Sequence, residues 1–349
     1  MNTKFTIKDI AKMAGVSVST VSRAINDDHG VSKKTKEKID KIIQEHNYRP
    51  SMLARGMVSK RTNMIALVVS DITNPYFYQF VANIEQNLVD KGYTLSLFDT
   101  QTANSQTDEK KKEIEITIFK QIQEKNFDAV ILLGGLIDRV TLDQEYLSVV
   151  QHVAANIPMI IVGRQISELA QSNASIVFIE RDQELVTQLL VTHMIKKGFK
   201  RMAFIGGNPS GWVTNARLAA FKNTLQQHHL PFDDRLVVNN NFYAQDGYDG
   251  VLQLLETTVD FDAVIAINDR VAQGVLRGLL DTVGDLHTGV ASCEHFSESI
   301  FNNPRITSID HNLTDLSALT VEHLIAVMEG TEMSESRKIY PRLILGESS

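Results

Sequence analysis

Cysteine occurs once in the 349 residues, as Cys293, which excludes a disulfide framework, and no Cys/His grouping has the spacing of a metal site. Histidines 228 and 229 are adjacent, but at the end of a helix-like segment they read as a solvated terminus. Tryptophan also occurs once, as Trp212. No run approaches the roughly 18 apolar residues of a membrane span. Polar residues and a helix cap stand at the N-terminus where a signal peptide needs an apolar core, so the chain reads as cytosolic. There is no Walker-type phosphate loop, no GxSxG, no HExxH and no Cys/His dyad context, so no catalytic residue, metal or cofactor is assigned. Disorder is excluded too, because 43% hydrophobic with 22% charged residues is ordinary globular composition.

Charge is present but unevenly distributed. Residues 1–61 hold 13 Lys/Arg against 6 Asp/Glu, net +7, whereas the remaining 288 hold 22 against 36, net −14. A basic head on an acidic body suits phosphate attraction at one end and solubility at the other.

Residues 6–26, TIKDIAKMAGVSVSTVSRAIN, are the stretch around which the rest is organised. Ile7, Ile10, Ala11 and Ala14 repeat at helical spacing, with Thr6 as N-cap, Asp9 three residues on and Gly15 as terminator, predicting a helix over 7–14. Ser17 caps a second helix over 18–25 with Val21 and Ile25 inward. Two short helices joined by a tight turn make a helix-turn-helix, although a plain αα-corner shares the pattern. In a helix-turn-helix the second helix enters the major groove N-terminus first. That leaves Val18, Ser19 and Arg23 as base readers and Ser17 and Thr20 near phosphates; Thr6 and Asn26, at the ends of the motif, complete this DNA-facing set.

Ser32 caps a third helix over 33–46, with Ile39, Ile42 and Ile43 on one face. Asn47, Tyr48, Arg49 and Pro50 break it. The following SMLARGM, 51–57, is helix-capable but only about two turns long, too short to stand alone in water, and reads as a hinge. From Met64 the texture changes to strand-length apolar runs at 65–70, 94–99, 129–133, 159–162, 176–179, 202–205, 263–267 and 307–309. Helices are expected near 76–91, 108–124, 182–197, 213–228, 247–256, 270–280 and 315–329. Apolar strands alternating with helices predict parallel sheets covered on both faces. About 280 residues exceed one comfortable core, so two doubly wound lobes are expected, with a ligand site at the C-terminal ends of their strands.

In this order the parts resemble the LacI/GalR family of bacterial transcription regulators over essentially the whole chain. The motifs that carry the resemblance are TIKDIAKMAGVSVSTVSRAIN, NYRPSMLARGM, DITNPYF, RLAAF at Arg217, and IND with Asn268 and Asp269. The fold implied is an α/β chain with an all-α helix-turn-helix head at 1–47 and a hinge helix and linker at 48–63. A body like type I periplasmic binding proteins follows at 64–349, its N-lobe about 64–163 plus 293–325 and its C-lobe about 164–292 plus 326–349. The function implied is a homodimer on a near-palindromic operator in the bacterial cytoplasm, nucleoid-associated when bound and without membrane attachment. The resemblance further implies a repressor of carbohydrate-use genes, controlled by a sugar or sugar phosphate. Its hinge places Tyr48, Arg49, Leu53, Ala54 and Arg55 at the DNA, with Met57 as the minor-groove wedge where relatives usually have Leu, and Val58 where they often have Lys.

The same resemblance assigns effector contacts. Asn74, Tyr76 and Phe77 match an aromatic sugar-stacking segment, Arg164 and Arg217 match arginines that donate paired hydrogen bonds, and Phe242 and Asn268 match a closing ring and a hydroxyl partner. Each also fits a plainer role: Asn268 as a helix N-cap, Arg217 as a solvated helix arginine, Phe242 as core. Three positions depart, with Glu294 for the usual Asp, Gly163 where many have an acid, and His311 for Gln, a group expected to titrate near neutrality. Trp212 is a further stacking face. A regulator with a phosphorylated protein corepressor, or a cytosolic sugar-binding module without gene control, would use the same body.

Overall fold

The computed structural model describes residues 5–25, 30–46, 48, 61–102, 107–171, 175–284, 287–333 and 338–349. The chain forms two compact units, Met1–Met64 with Asn126–Asp128, and Ile65–Lys125 with Ala129–Ser349.

The first unit contains α1 (Ile7–Ala14), α2 (Val18–Ile25) and α3 (Lys33–Glu45). The Asp9 carboxylate accepts the Thr6 backbone N–H at 2.9 Å and the Thr6 hydroxyl at 2.6 Å, which fixes the first turn of α1 and holds Asp9 below its ordinary pKa. Gly15, at φ +69°, ends α1 in the left-handed conformation, and the Val16 N–H returns to the Ala11 carbonyl at 3.0 Å. Ser17 Oγ accepts the Thr20 N–H at 3.2 Å and starts α2. Ile10, Val21 and Ile39 are sealed at the centre, and Ile25 and Ile43 pack around them. Lys38 Nζ donates to the Ala14 carbonyl at 2.9 Å, placing a cation at the negative end of α1.

The second unit holds two sheets. The first has the order β2-β1-β3-β4-β5, from β1 (Met64–Val69), β2 (Thr94–Asp99), β3 (Ala129–Leu133), β4 (Met159–Gly163) and β5 (Ile176–Glu180). The second has the order β11-β10-β9-β8-β6-β7, from β6 (Met202–Ile205), β7 (Val237–Val238), β8 (Ala263–Ala266), β9 (Gly289–Ser292), β10 (Thr307–Asp310) and β11 (Arg342–Ile344). Pairings such as Leu67 with Ile131, Ile131 with Ile160 and Ile160 with Val177 are parallel and register apolar residue on apolar residue. β11 runs antiparallel to β10. Among the described residues no helix is long and apolar enough to cross a membrane.

Two of the expected lobe limits are corrected. Residues 164–180 are expected in the C-lobe, but β5 extends the first sheet because its apolar residues register along β4. The return segment 293–325 is expected whole in the N-lobe, yet β10 pairs with β9 in the second sheet. Only Phe296 and the helix Leu313–Glu329 join the first core, through residues such as Leu316, Val321 and Leu324. Three strands escape the reading. β7 and β11 span two and three residues, and GVAS at β9 is too small and short to announce a strand; its place is set by β8 and β10 on either side. The helix Gln144–Ala154, capped by Asp143 Oδ1 accepting the Tyr146 N–H at 3.0 Å, also goes unread.

In the second lobe the helices Ala244–Leu255 and Asp269–Thr282 cross backbone to backbone. A Cβ on Gly247 would lie 2.0 Å from the Val271 carbonyl oxygen, and one on Gly274 would lie 1.8 Å from that of Ala244. Neither obstacle is a flexible side chain. Gly274→Ala is therefore expected to force the helices apart at a cost of about 2–3 kcal/mol, read as a lower midpoint of urea unfolding; an unchanged midpoint would show that the crossing yields.

Candidate functional site

On α2 the side chains of Val18, Ser19 and Arg23 are exposed, whereas Val21, Ser22 and Ala24 face the core. The Ser17 hydroxyl is shared with those of Ser19 at 2.7 Å and Thr20 at 2.9 Å, so these three polar groups are tied together at the helix start. Thr6 is exposed beside α1. Tyr48 is half-buried, edge-on to Phe5 at 6.3 Å, and Phe5 stacks on His46 at 4.3 Å. Asn26, Arg49, Leu53, Ala54, Arg55 and Met57 lie outside the described residues, as does the expected hinge helix.

The body carries a cleft of about 150 Å³ walled by both sheets at the carboxyl ends of their strands. Ser70 after β1, Gly134 and Gly135 after β3 and Arg181 after β5 form one wall; Asn208 after β6, Asn241 after β7 and Glu294 after β9 form the other. Open α/β sheets bind ligands at this edge. Five of the assigned effector residues line the cleft: Asn74, Tyr76, Phe77, Phe242 and Glu294. Asn74 Oδ1 also accepts the Tyr76 N–H at 3.1 Å and begins the helix Pro75–Val89, which fixes the aromatic pair at the cleft. Phe77 passes close over Gly134, where a Cβ would lie 2.9 Å from its ring.

The other five do not line it. Arg217 is fully buried: its Nε donates to Gln183 Oε1 at 2.8 Å, Nη1 to the Ile267 carbonyl, and Nη2 to Glu294 Oε1 at 2.9 Å. It forms an internal ion pair with Glu294 and does not itself line the cleft. Asn268 takes its plainer role, with Oδ1 accepting the Val271 N–H at 2.9 Å and Nδ2 donating to the Phe242 carbonyl at 3.0 Å. Arg164 Nη2 donates to the Arg139 carbonyl at 2.7 Å and so stands one residue behind the cleft. His311 Nε2 meets the Cys293 carbonyl at 3.0 Å; burial, then the nearby Arg217 and Arg181, hold it well below the ordinary histidine value. It is neutral at pH 7, which corrects the expectation of a titrating group. Trp212 opens the helix Trp212–Gln227 and lines a separate recess.

Residues that the sequence did not mark complete the cleft. Asp138 lines it, and a Cβ on Gly163 would lie 2.9 Å from Asp138 Oδ1, so the glycine leaves room for this carboxylate and the acceptor expected as lost at 163 comes from Asp138. Desolvation raises the Asp138 carboxyl, while Arg181 and Arg164 oppose that rise. The Arg181 guanidinium sits 4.6 Å from the Tyr76 ring centre, and burial pushes that phenol up to about 12. Behind Gly135, Glu115 accepts the Leu136 N–H at 3.0 Å and the Tyr146 hydroxyl at 2.7 Å, and desolvation raises it to about 7. The walls are tied together: Tyr243 donates its hydroxyl to Asp71 Oδ2 at 2.5 Å, the Val140 N–H reaches the Ser210 carbonyl at 3.0 Å, and the Arg139 guanidinium reaches the Ser210 hydroxyl. Arg181 was findable, because it follows a correctly read strand at the ligand-bearing edge. Asp138 and Tyr243 lie in short connections whose direction no periodicity reports.

A helix-turn-helix head with a two-lobed cleft body defines the class of ligand-responsive DNA-binding proteins. Residues 6–51 match the model of bacterial regulatory proteins, lacI family, and residues 62–345 match that of periplasmic binding proteins and sugar binding domain of LacI family. The chain belongs to the lacI family and is a DNA-binding transcription regulator. It is 31% identical over 348 residues to catabolite control protein A of Staphylococcus epidermidis and 29% identical over 347 residues to that of Staphylococcus xylosus, each match covering 97% of both chains. Its fold is similar to that of the lac repressor dimer bound to operator and the anti-inducer ONPF, with a TM-score of 0.81, 21% identity and 99% of both chains covered. It is also similar to the transcriptional regulator CelR in complex with cellobiose, with a TM-score of 0.68, 22% identity and 99% and 100% covered.

Two outcomes follow from this geometry. Arg217→Ala strands Glu294 and Gln183 and is expected to cost about 3–5 kcal/mol in urea unfolding; a variant as stable as its parent but unable to bind ligand would return Arg217 to a ligand role. Glu115 keeps a proton in the folded state up to about pH 7 that the unfolded chain loses near the ordinary carboxyl value of 4.5. Stability gained at low pH is therefore lost as pH rises through this window, by up to about 1.4 kcal/mol per pH unit. Glu115→Gln should flatten that slope in unfolding curves between pH 5 and 8, and an unaltered slope would assign it elsewhere.

Proposed function

We propose that the protein is a homodimeric repressor of carbohydrate-use genes, whose affinity for a near-palindromic operator is set by a sugar-class ligand in the cleft. The observation that carries this reading is that one cleft is walled by both lobes and tied across by Tyr243 with Asp71 and by Arg139 with Ser210. A ligand held there changes the balance between arrangements of the lobes, and operator affinity moves only by its difference in affinity for the two. Phe77 and Phe242 offer ring faces to a sugar's apolar side, and Asn74, Asp138, Asn208 and Asn241 offer partners to its hydroxyls. The relatives are named catabolite control proteins, which supports a role in nutrient control, and CelR is a regulator solved with cellobiose.

Dimerisation has its own support in exposed apolar side chains, Phe301 at 84% with Ile300, and Leu280 with Val283 at the end of the helix Asp269–Thr282. A second copy of the chain is the partner that would cover them. The protein would act in the bacterial cytoplasm, on nucleoid DNA, through binding rather than catalysis.

The test is fluorescence anisotropy on an operator selected from random duplexes, with and without a panel of sugars. The log of affinity should fall with the log of salt at a slope of about −5 or steeper, and one sugar should shift the curve. Arg23→Ala should cost about 1–3 kcal/mol on the operator and less on random DNA. Equal losses on both would make Arg23 a phosphate contact, and a flat salt curve would sink the reading.

A further inference from the structure

Trp212 is outside the cleft because it belongs to a second recess, open and about 900 Å³ in volume. Its walls come from both lobes: β5 and the Leu316 to His323 face of the helix Leu313–Glu329 on one side, Trp212 and Ala216 on the other, with the crossover at Arg181 and Gln183 between them. Three of these side chains, the buried His323 and Gln183 and the half-buried Arg181, carry sealed polar atoms that have no hydrogen-bond partner among the described residues. They are His323 at both ring nitrogens, Gln183 at Nε2, and Arg181 at Nε and Nη1. His323 is only 5% exposed and Gln183 only 2%. One orphaned buried group costs about 1–3 kcal/mol, so three such groups gathered at one recess make it a place where a polar ligand would be stabilised.

The chemistry is one-sided. Arg181 and Gln183 offer only donors at these atoms, and a neutral histidine adds one donor and one acceptor. A partner rich in acceptors satisfies them, and a carboxylate or phosphate oxyanion is the group made only of acceptors. Exposed Glu180, Asp182 and Glu184 stand around the recess, with Lys338 on the other side, but these rim charges are in water and screened, whereas the orphaned donors are not. Trp212 supplies a flat face for a ring.

We propose that this recess is a second small-molecule site, taking a ring compound that bears a carboxylate or phosphate, with the oxyanion on Arg181, Gln183 and His323 and the ring on Trp212. The site stands whether or not the cleft holds a sugar. It is also wired to the cleft: Arg181 lines both, and Gln183 uses its other amide atom, Oε1, to hold Arg217, which holds Glu294 in the cleft wall. An occupant of the recess would therefore bias the cleft and, by reciprocity, the cleft ligand would bias the recess.

Trp212 is the chain's one tryptophan, so its fluorescence reports this recess directly. The full-length protein is titrated with glucuronate, glucose 1-phosphate and glucose. Glucuronate or glucose 1-phosphate should give a saturable change, protect Trp212 from acrylamide quenching, and bind at least about tenfold tighter than glucose, a difference of about 1.4 kcal/mol. Which anion responds separates the carboxylate from the phosphate source. Phe77→Ala, in the cleft, should leave this titration in place, and His323→Leu should weaken it about tenfold. If His323→Leu does not fold, acrylamide protection in the unaltered protein decides alone. No response to either anion, glucose binding as tightly as both, or a response lost in Phe77→Ala would overturn the proposal.

Discussion

The Arg217 guanidinium is the interaction on which the body depends. It belongs to the largest side chain sealed from solvent among the described residues, and its donors tie Gln183 in the crossover after β5, the end of β8 through Ile267, and Glu294 after β9. A buried cation is tolerable only when such partners surround it, so the three segments cannot drift independently. Because Glu294 reaches the cleft and Gln183 reaches the recess behind Trp212, one desolvated ion pair sets the geometry of two surfaces. Burial, with the Arg217 charge beside it, holds His311 well below the ordinary histidine value.

Charge divides the molecule in a complementary way. The basic excess is confined to the head and hinge sequence, where phosphate is to be met, and the acidic excess lies in the body. Within the head the polar atoms that could meet DNA are already ordered by one another: Ser17, Ser19 and Thr20 share hydrogen bonds at the start of α2 while Arg23 stays exposed one turn on. Local capping thus serves both to start the helix and to hold the groups it presents.

How much was legible varied with the range of the interactions. α1 and α2 were readable to the residue because Thr6 with Asp9, Gly15 and Ser17 act within a few positions of themselves. The parallel strands were readable wherever a continuous apolar run marks burial on both faces, as in β1 and β3. β9 was not, because Gly-Val-Ala-Ser becomes a strand only by lying between β8 and β10. In the site, Asn74, Tyr76, Phe77, Phe242 and Glu294 reach the cleft, while Arg217 and Asn268 turn inward to satisfy carbonyls, carboxylate and backbone N–H groups that come from distant segments.

The sequence by itself determined the helix-turn-helix head, the alternation that makes two parallel-sheet lobes, and the division of charge between them. These depend on side-chain periodicity, caps and composition, all of which act over short stretches of chain. Only the tertiary structure decided where one lobe ends, that Asp138 occupies the space left by Gly163, that Trp212 faces a recess with Gln183 and His323, and that Arg217 is an internal tie. Each of those outcomes is set by which distant backbone or side-chain group arrives to satisfy a buried polar atom, and that pairing is created by the fold.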